Sequence, residues 1–219
     1  MKKLIFATHN NNKLKEVRNI LNTYSIVGLN EIGFSKDIDE KKNTFEGNAL
    51  LKARHIYNLY KKPVIADDSG LVIKVLNGEP GVHSARFAGL KKDNQKNIEK
   101  VLKLMNNKKE RNAFFTCVLA LILNNKEYLF EGRINGIISE KKKGHNGFGY
   151  DSIFIPESYK KTFGQLDNEI KLSISHRTIA TNKLKKFAKA GSCLAKKIIS
   201  YKDYKNEWFF DWQYNIEAR

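Results

Sequence analysis

Apolar and polar positions along the chain fall into blocks that read as strand, loop and helix in turn. Leu4-Ile5-Phe6-Ala7 is a short apolar run closed by the polar cluster from His9 to Asn12, the pattern of a buried strand feeding a loop. Beyond Lys13, the residues Leu14, Val17, Ile20 and Leu21 recur at helical spacing. Thr44 is placed to cap a second helix whose apolar face runs through Phe45, Ala49, Ala53, Ile56 and Tyr60, and Pro63 stops it. Val64-Ile65-Ala66 predicts a second buried strand that carries Asp67-Asp68-Ser69-Gly70 at its C-terminal end. Leu71 to Leu76 predicts a separate strand after it.

The second half of the chain reads differently. Asp93 to Met105 has helical periodicity through Ile98, Val101, Leu102 and Met105. Phe114 to Leu123 and Glu127 to Ile134 flank Asn124-Asn125-Lys126, which predicts a hairpin. A glycine-rich loop, Gly144 to Gly149, precedes an apolar strand to Ile155. A last long helix is expected to begin near Ser175 or Thr178, with Ala180, Leu184, Phe187 and Ala188 inward. Strands that alternate with helices and then give way to an antiparallel pair predict an α/β fold with a mixed, partly antiparallel central sheet flanked by helices. From Ile198 onward the texture changes, with Tyr201, Tyr204, Trp208, Phe209, Phe210, Trp212 and Tyr214 set among charges. We therefore read residues 1–197 as the domain and 198–219 as a basic, aromatic-rich extension.

Composition narrows the class. A chain of 219 residues with 41% hydrophobic residues and only three prolines is a folded globule, long enough to bury roughly 70% of its unfolded surface without disulfide or metal staples. Forty Lys and Arg against 23 Asp and Glu leave a formal charge of +17. That charge asks for an anionic partner, but phosphate ligands, nucleic acids and anionic membranes attract a basic surface by the same field, and lysines spread over a solvated face give the same sum. Cys117 and Cys193 stand far apart without a CxxC pattern, so buried free thiols are expected instead of a zinc site or disulfide. The basic start lacks the apolar core of a signal peptide, and the longest apolar run, Cys117 to Leu123, is far short of a membrane span. These features predict a cytoplasmic protein with no membrane partner.

Three groups of residues have chemical potential. Thr8-His9-Asn10-Asn11-Asn12-Lys13 lies between a strand and a helix start, where hydroxyl, amide and ammonium groups join free N–H groups and the helix dipole in a phosphate cradle. An ordinary capping loop explains the same residues. There is no Gly-Lys dipeptide for a Walker loop, and Ser152 stands where a dinucleotide fingerprint after Gly147 would need its third glycine. Asp67 and Asp68 project to opposite sides of a regular strand, so both meet one ligand only if the chain turns, as Gly70 permits. Such carboxylates suit Mg2+ or the activation of a water, and a helix N-cap is the rival reading. Finally, Gly147-Phe148-Gly149-Tyr150-Asp151 offers close backbone approach and a stacking face, while Ser175-His176-Arg177 offers a fork of donors.

Taken in order, THNNNK, TFEGNALLKAR, ADDSGL, GEPGVHSARFAG, NGFGYD and SHR resemble the inosine triphosphate pyrophosphatase family, from Leu4 to about Lys189. The resemblance implies a two-lobed α/β fold around a substrate cleft. It also implies Mg2+-dependent hydrolysis of non-standard purine nucleoside triphosphates (ITP, dITP, XTP) to the monophosphate and pyrophosphate, in nucleotide-pool sanitation. By motif, substrate contacts fall on Thr8, His9, Asn10, Asn11, Asn12, Lys13, Ser69, Phe148, Gly149, Tyr150, Asp151, Lys171, His176 and Arg177. Asp68 matches the proton acceptor and a metal ligand, and Glu40 the second metal ligand. The family's usual state implies a homodimer and no specific nucleic acid. One departure stands out, because many members carry Glu where this chain has Gly47, with Glu46 one place earlier. A basic nucleic-acid-binding module without turnover and a nucleotide sensor are the alternatives.

Overall fold

The computed structural model of the chain describes the backbone of residues 3–199 and the side chains as far as residue 190. Its elements are β1 (Lys3–Phe6), α1 (Asn11–Ile20), β2 (Ser25–Gly28), α2 (Phe45–Tyr60), β3 (Val64–Ile73), α3 (Asn94–Leu104), β4 (Asn112–Leu123), β5 (Lys126–Ile138), β6 (Phe154–Pro156), α4 (Asn168–Ile174) and α5 (His176–Ile199). They build one six-stranded sheet in the order β2-β1-β3-β4-β5-β6. β1 pairs in parallel with β2 and β3, and the remaining pairings are antiparallel. The sheet is mixed, as predicted.

Unequal strand length leaves part of one edge of β3 without a strand partner. β1 pairs with β3 only at Ile5↔Val64 and Phe6↔Ile65, whereas β3 runs on to Ile73. Beyond Ile65 that edge loses β1, and from Leu71 to Ile73 residues Glu79, Pro80 and Ser84 take it up. On the β1 side of this point, α1 and α5 pack on Leu4, Phe6, Ile65, Cys117 and Leu119, while α2 covers Ala66, Val118 and Ala120 on the opposite face. A third apolar cluster lies under the far ends of β3 and β4, where Leu71, Ile73 and Phe115 meet Ile98 and Val101 of α3 together with Phe154 and Phe163. Two lobes result, joined by β3, β4 and β5.

Local chemistry explains most boundaries. Asn10, Thr44 and Asp93 cap α1, α2 and α3 with their side chains. Asn124 and Asn125 both take positive φ, 49° and 62°, as a two-residue hairpin turn requires.

The structure corrects the predicted strands. Val64–Ile73 is one unbroken strand, so Asp67, Asp68 and Ser69 sit in mid-strand; they neither end a strand nor cap a helix, and Lys74–Leu76 is a 3-10 turn. Gly70 makes no turn. It allows close approach instead: a Cβ there would lie 2.4 Å from Gly81 O and 2.5 Å from Ser84 Oγ. Residues 149–153 form a 3-10 turn, which leaves β6 only three residues. The short elements β2 and α4 have too few residues to show a period. Among the described residues no helix is long and apolar enough to cross a membrane. Cys193 and the proposed extension 198–219 lie outside the described side chains.

Candidate active site

At the end of β1, Asn10 turns the chain into α1. Thr8 Oγ1 accepts from Asn10 N at 3.1 Å, and Asn10 Oδ1 accepts from Asn12 N at 2.9 Å and Lys13 N at 3.2 Å. Two of the N–H groups expected to be free for phosphate are therefore engaged by the cap, while Asn10, Asn11 and Asn12 remain exposed. The His9 ring is directed to the neighbouring loop, with Nδ1 2.7 Å from Asn30 Oδ1 and Nε2 3.1 Å from Lys36 O. Its side chain anchors that loop.

Strand alternation sends the two aspartates to opposite faces of the sheet, and each organises its own set of charges. Asp67 is 1% exposed, accepting from Lys13 Nζ at 3.1 Å, Arg177 Nε at 3.1 Å and Ser69 Oγ at 3.3 Å. Arg177, itself buried, also donates from Nη2 to Ser69 Oγ at 2.8 Å and from Nη1 to Glu16. Glu16 is shared with Lys171 at 3.0 Å, and Lys171 Nζ donates to Asp151 Oδ2 at 2.7 Å. An alternating ladder of cations and carboxylates thus runs Lys13, Asp67, Arg177, Glu16, Lys171, Asp151. Burial by itself would raise the Asp67 carboxyl, but Lys13, Arg177 and Lys52 together outweigh it and hold the group well below the usual carboxylate range.

Asp68 faces α2. Its Oδ2 accepts from Asn48 Nδ2 at 3.0 Å, and Lys52 Nζ stands 3.9 Å from its Oδ1 while donating to Glu40. Arg86 Nη1 donates to Glu40 Oε2 at 3.0 Å. Burial first, and the nearby Glu40 charge second among the raising causes, push Asp68 up to about 6 against the opposing pull of Lys52. Lys13 lowers Asp67, Asp68 and Glu40 alike, so its ammonium lies near both sets where β3 has its open edge. The buried Asp68 and half-buried Glu40 carboxylates fit Mg2+, which is held by one or two carboxylates with waters and substrate phosphate; among the described residues no group of three or more His, Cys, Asp or Glu is placed to hold a metal.

At the far end of the ladder, Asp151 Oδ2 also accepts from Phe148 N at 2.7 Å. Gly147 has φ +75°, and a Cβ there would fall 2.1 Å from that same oxygen, so only glycine fits. Lys171 Nζ lies 4.4 Å from the centroid of the half-buried Phe148 ring. Tyr150 is buried, and its hydroxyl donates to Ser84 O at 2.8 Å, so the ring ties the 3-10 turn to the Gly81–Arg86 loop. His176 stacks on Phe115 at 4.8 Å, and its buried Nδ1 has no partner. Burial keeps that imidazole neutral. Cys117 touches Asp67 from below at 3.9 Å, and burial pushes its thiol up to about 12.

The three predicted groups are connected from Lys13 through Asp67 and Arg177 to Phe148 by direct contacts, whereas Asp68 and Glu40 stand with Asn48 and Lys52 on the other face of β3. Sequence reasoning missed Glu16, Asn48, Lys52 and Arg86. Glu16 follows Lys13 by one helical turn, and Asn48 and Lys52 make a polar i, i+4 stripe beside the apolar face of α2, so both carried a periodic signal. Arg86 closes the 3-10 turn Gly81–Arg86 and carried no periodic signal, only its place in the motif GEPGVHSARFAG.

Fold and cleft together define a nucleotide-handling α/β enzyme. The chain belongs to the Ham1 family, whose model matches residues 4–187. A Bacillus subtilis relative named dITP/XTP pyrophosphatase is 47% identical over 195 residues, covering 87% of this chain and 98% of its own length. One from Flavobacterium psychrophilum with the same name is 46% identical over 187 residues, covering 85% and 98%. The Staphylococcus aureus Ham1 protein superposes with a TM-score of 0.80 at 40% identity, covering 86% of this chain and 99% of that one.

Proposed function

We propose that this chain hydrolyses non-standard purine nucleoside triphosphates, of the dITP and XTP kind that its relatives are named for, to the monophosphate and pyrophosphate with Mg2+. The observation that carries the reading is the charge ladder, which joins a polar loop at a helix N-terminus to the Phe148 ring through alternating cations and carboxylates. Thr8, Asn10, Asn11, Asn12 and Lys13 receive the phosphates, with Ser69 beside them; His9 acts through its backbone and by anchoring its loop. Phe148 stacks on the base, Gly149 and Tyr150 shape its pocket, and Asp151, Lys171, His176 and Arg177 present polar groups to its edge.

Asp68 takes a proton from a water that attacks the α-phosphorus; the bond from that phosphorus to the bridging oxygen breaks, and pyrophosphate departs with the electron pair. Burial raises this carboxyl to about 6 in the metal-free protein, which makes it a stronger base than an ordinary aspartate, and a bound cation would draw it back toward the charged, proton-accepting form. Glu40 and Asp68 would hold the Mg2+, which supplies neutralisation of charge on the phosphate oxygens. Selectivity arises at the purine 6 position. A keto oxygen accepts from Arg177 or His176, whereas an amine leaves buried donors unpaired at a cost of about 1–3 kcal/mol per group. The catalytic unit is residues 1–197, working as a cytoplasmic homodimer, with 198–219 as an extension outside the chemistry.

The test is pyrophosphate release from ITP, dITP, XTP, ATP and GTP by wild type and Asp68→Asn. The proposal expects the 6-keto purines ITP, dITP and XTP to turn over faster than the 6-amino purine ATP, with GTP, which shares the 6-keto group, reporting any further selection at the 2 position, and a loss of about 10²–10⁴-fold in the variant, the range for a lost general base. Equal rates for the two proteins would refute Asp68 as the base. Tight oligonucleotide binding without turnover would favour the nucleic-acid module instead.

A further inference from the structure

The Glu40 and Asp68 carboxylates are bracketed by two cations that the steps above leave without a role. Lys52 Nζ donates to Glu40 Oε1 and stands 3.9 Å from Asp68 Oδ1. Arg86 grips Glu40 from the other side, with Nη1 on Oε2 at 3.0 Å and Nη2 on the Glu40 backbone carbonyl at 3.2 Å. Two carboxylates and two cations are already charge-matched, and the Lys52 ammonium pairs with both carboxylates.

We propose that Lys52 is the resident counter-ion of the Glu40–Asp68 pair, so that the free protein binds the divalent cation weakly and takes it up together with the triphosphate. The inference rests on the reading of those two carboxylates as metal ligands. A divalent ion entering alone meets a like charge sharing the same oxygens, and it leaves the cluster with two surplus positive charges. A triphosphate brings the negative charge that offsets them and offers new oxygens to the displaced ammonium. Lys52 is suited to that exchange because its head is a point charge on a flexible stem rooted in α2. Arg86 is not, since it is fixed to Glu40 through both side chain and backbone. It keeps the carboxylate aimed while Lys52 moves, and acts as a positioning residue.

Mn2+ binding to the nucleotide-free protein, followed by electron paramagnetic resonance, tests the proposal. Lys52→Met should bind Mn2+ about 10- to 100-fold tighter than wild type, the scale of removing one like charge at this separation from a partly screened site. Lys52→Arg, which keeps the charge, should stay at the wild-type value, and Asp68→Asn placed in Lys52→Met should abolish the gain. Should Lys52→Met fold poorly because Asp68 has lost its nearby ammonium, Mn2+ should restore its soluble yield and raise its thermal midpoint more than it does for wild type. Unchanged Mn2+ affinity in Lys52→Met, or no rescue by Mn2+, overturns the proposal while leaving the metal site standing if wild type itself shows Asp68-dependent binding. If no variant binds Mn2+ and Asp68→Asn leaves the metal requirement of pyrophosphate release unchanged, the ligand assignment falls and the inference with it.

Discussion

Replacing Asp67 by Asn removes the carboxylate that faces both Lys13 and Arg177 at 3.1 Å from a position 1% exposed. Breaking a buried ion pair by deleting one partner costs about 3–5 kcal/mol, because the other charge is left unpaired. Arg177 keeps Glu16 as a partner, and the Lys13 side chain, 17% exposed, has a route to water, so the low end applies, about 3 kcal/mol. That is a large share of the ~5–15 kcal/mol of a typical domain. Urea denaturation at pH 7 should show it as a lower midpoint with an unchanged slope. The pH dependence is the sharper test. The folded Asp67 carboxyl lies far below its unfolded value of about 3.9, so its contribution is complete above that value and is lost as pH falls toward the folded one. The gap between wild type and Asp67→Asn should therefore narrow from about pH 4.5 downward. A gap below about 1 kcal/mol at pH 7, or one that does not narrow in acid, would refute the assignment of Asp67 as a buried, charged hub.

Two further outcomes follow from the site. The acid limb of kcat/KM should turn at or below about 6, since the free-enzyme Asp68 is raised to that value and any bound cation favours its charged form; a limb above 7 would point to a different base. A chain ending at residue 197 should keep wild-type pyrophosphate release, because every proposed contact lies between Thr8 and Arg177, and a large loss in that chain would give the extension a part in the chemistry.

Legibility followed physical locality. Helices α1, α2 and α3 were readable because one apolar stripe and one capping side chain specify each, and the β4–β5 hairpin because two asparagines mark its turn. The course of β3 was not. Asp67-Asp68-Ser69-Gly70 has the composition of a turn, and it stays extended because β4 pairs with it throughout and Lys13, Arg177 and Asn48, brought from three helices, satisfy its carboxylates. The site showed the same division. Residues in motifs stood out, whereas Glu16 and Arg86 matter through partners that are 161 and 46 positions away. His9 was legible as a loop residue, but the direction of its ring depended on Asn30 and Lys36, which nothing nearby in the chain announces.

β1 stops at Phe6 while its neighbour continues to Ile73. A longer first strand would zip along that neighbour beyond Ile65 and cover the edge that Lys13 reaches; the polar run from His9 to Asn12 and the cap at Asn10 prevent it by starting a helix instead. Brevity is thus a functional property of the strand: an early halt keeps the doorway ajar, and mutations that favour continued pairing past Ala7 would make a tidier sheet and a worse catalyst.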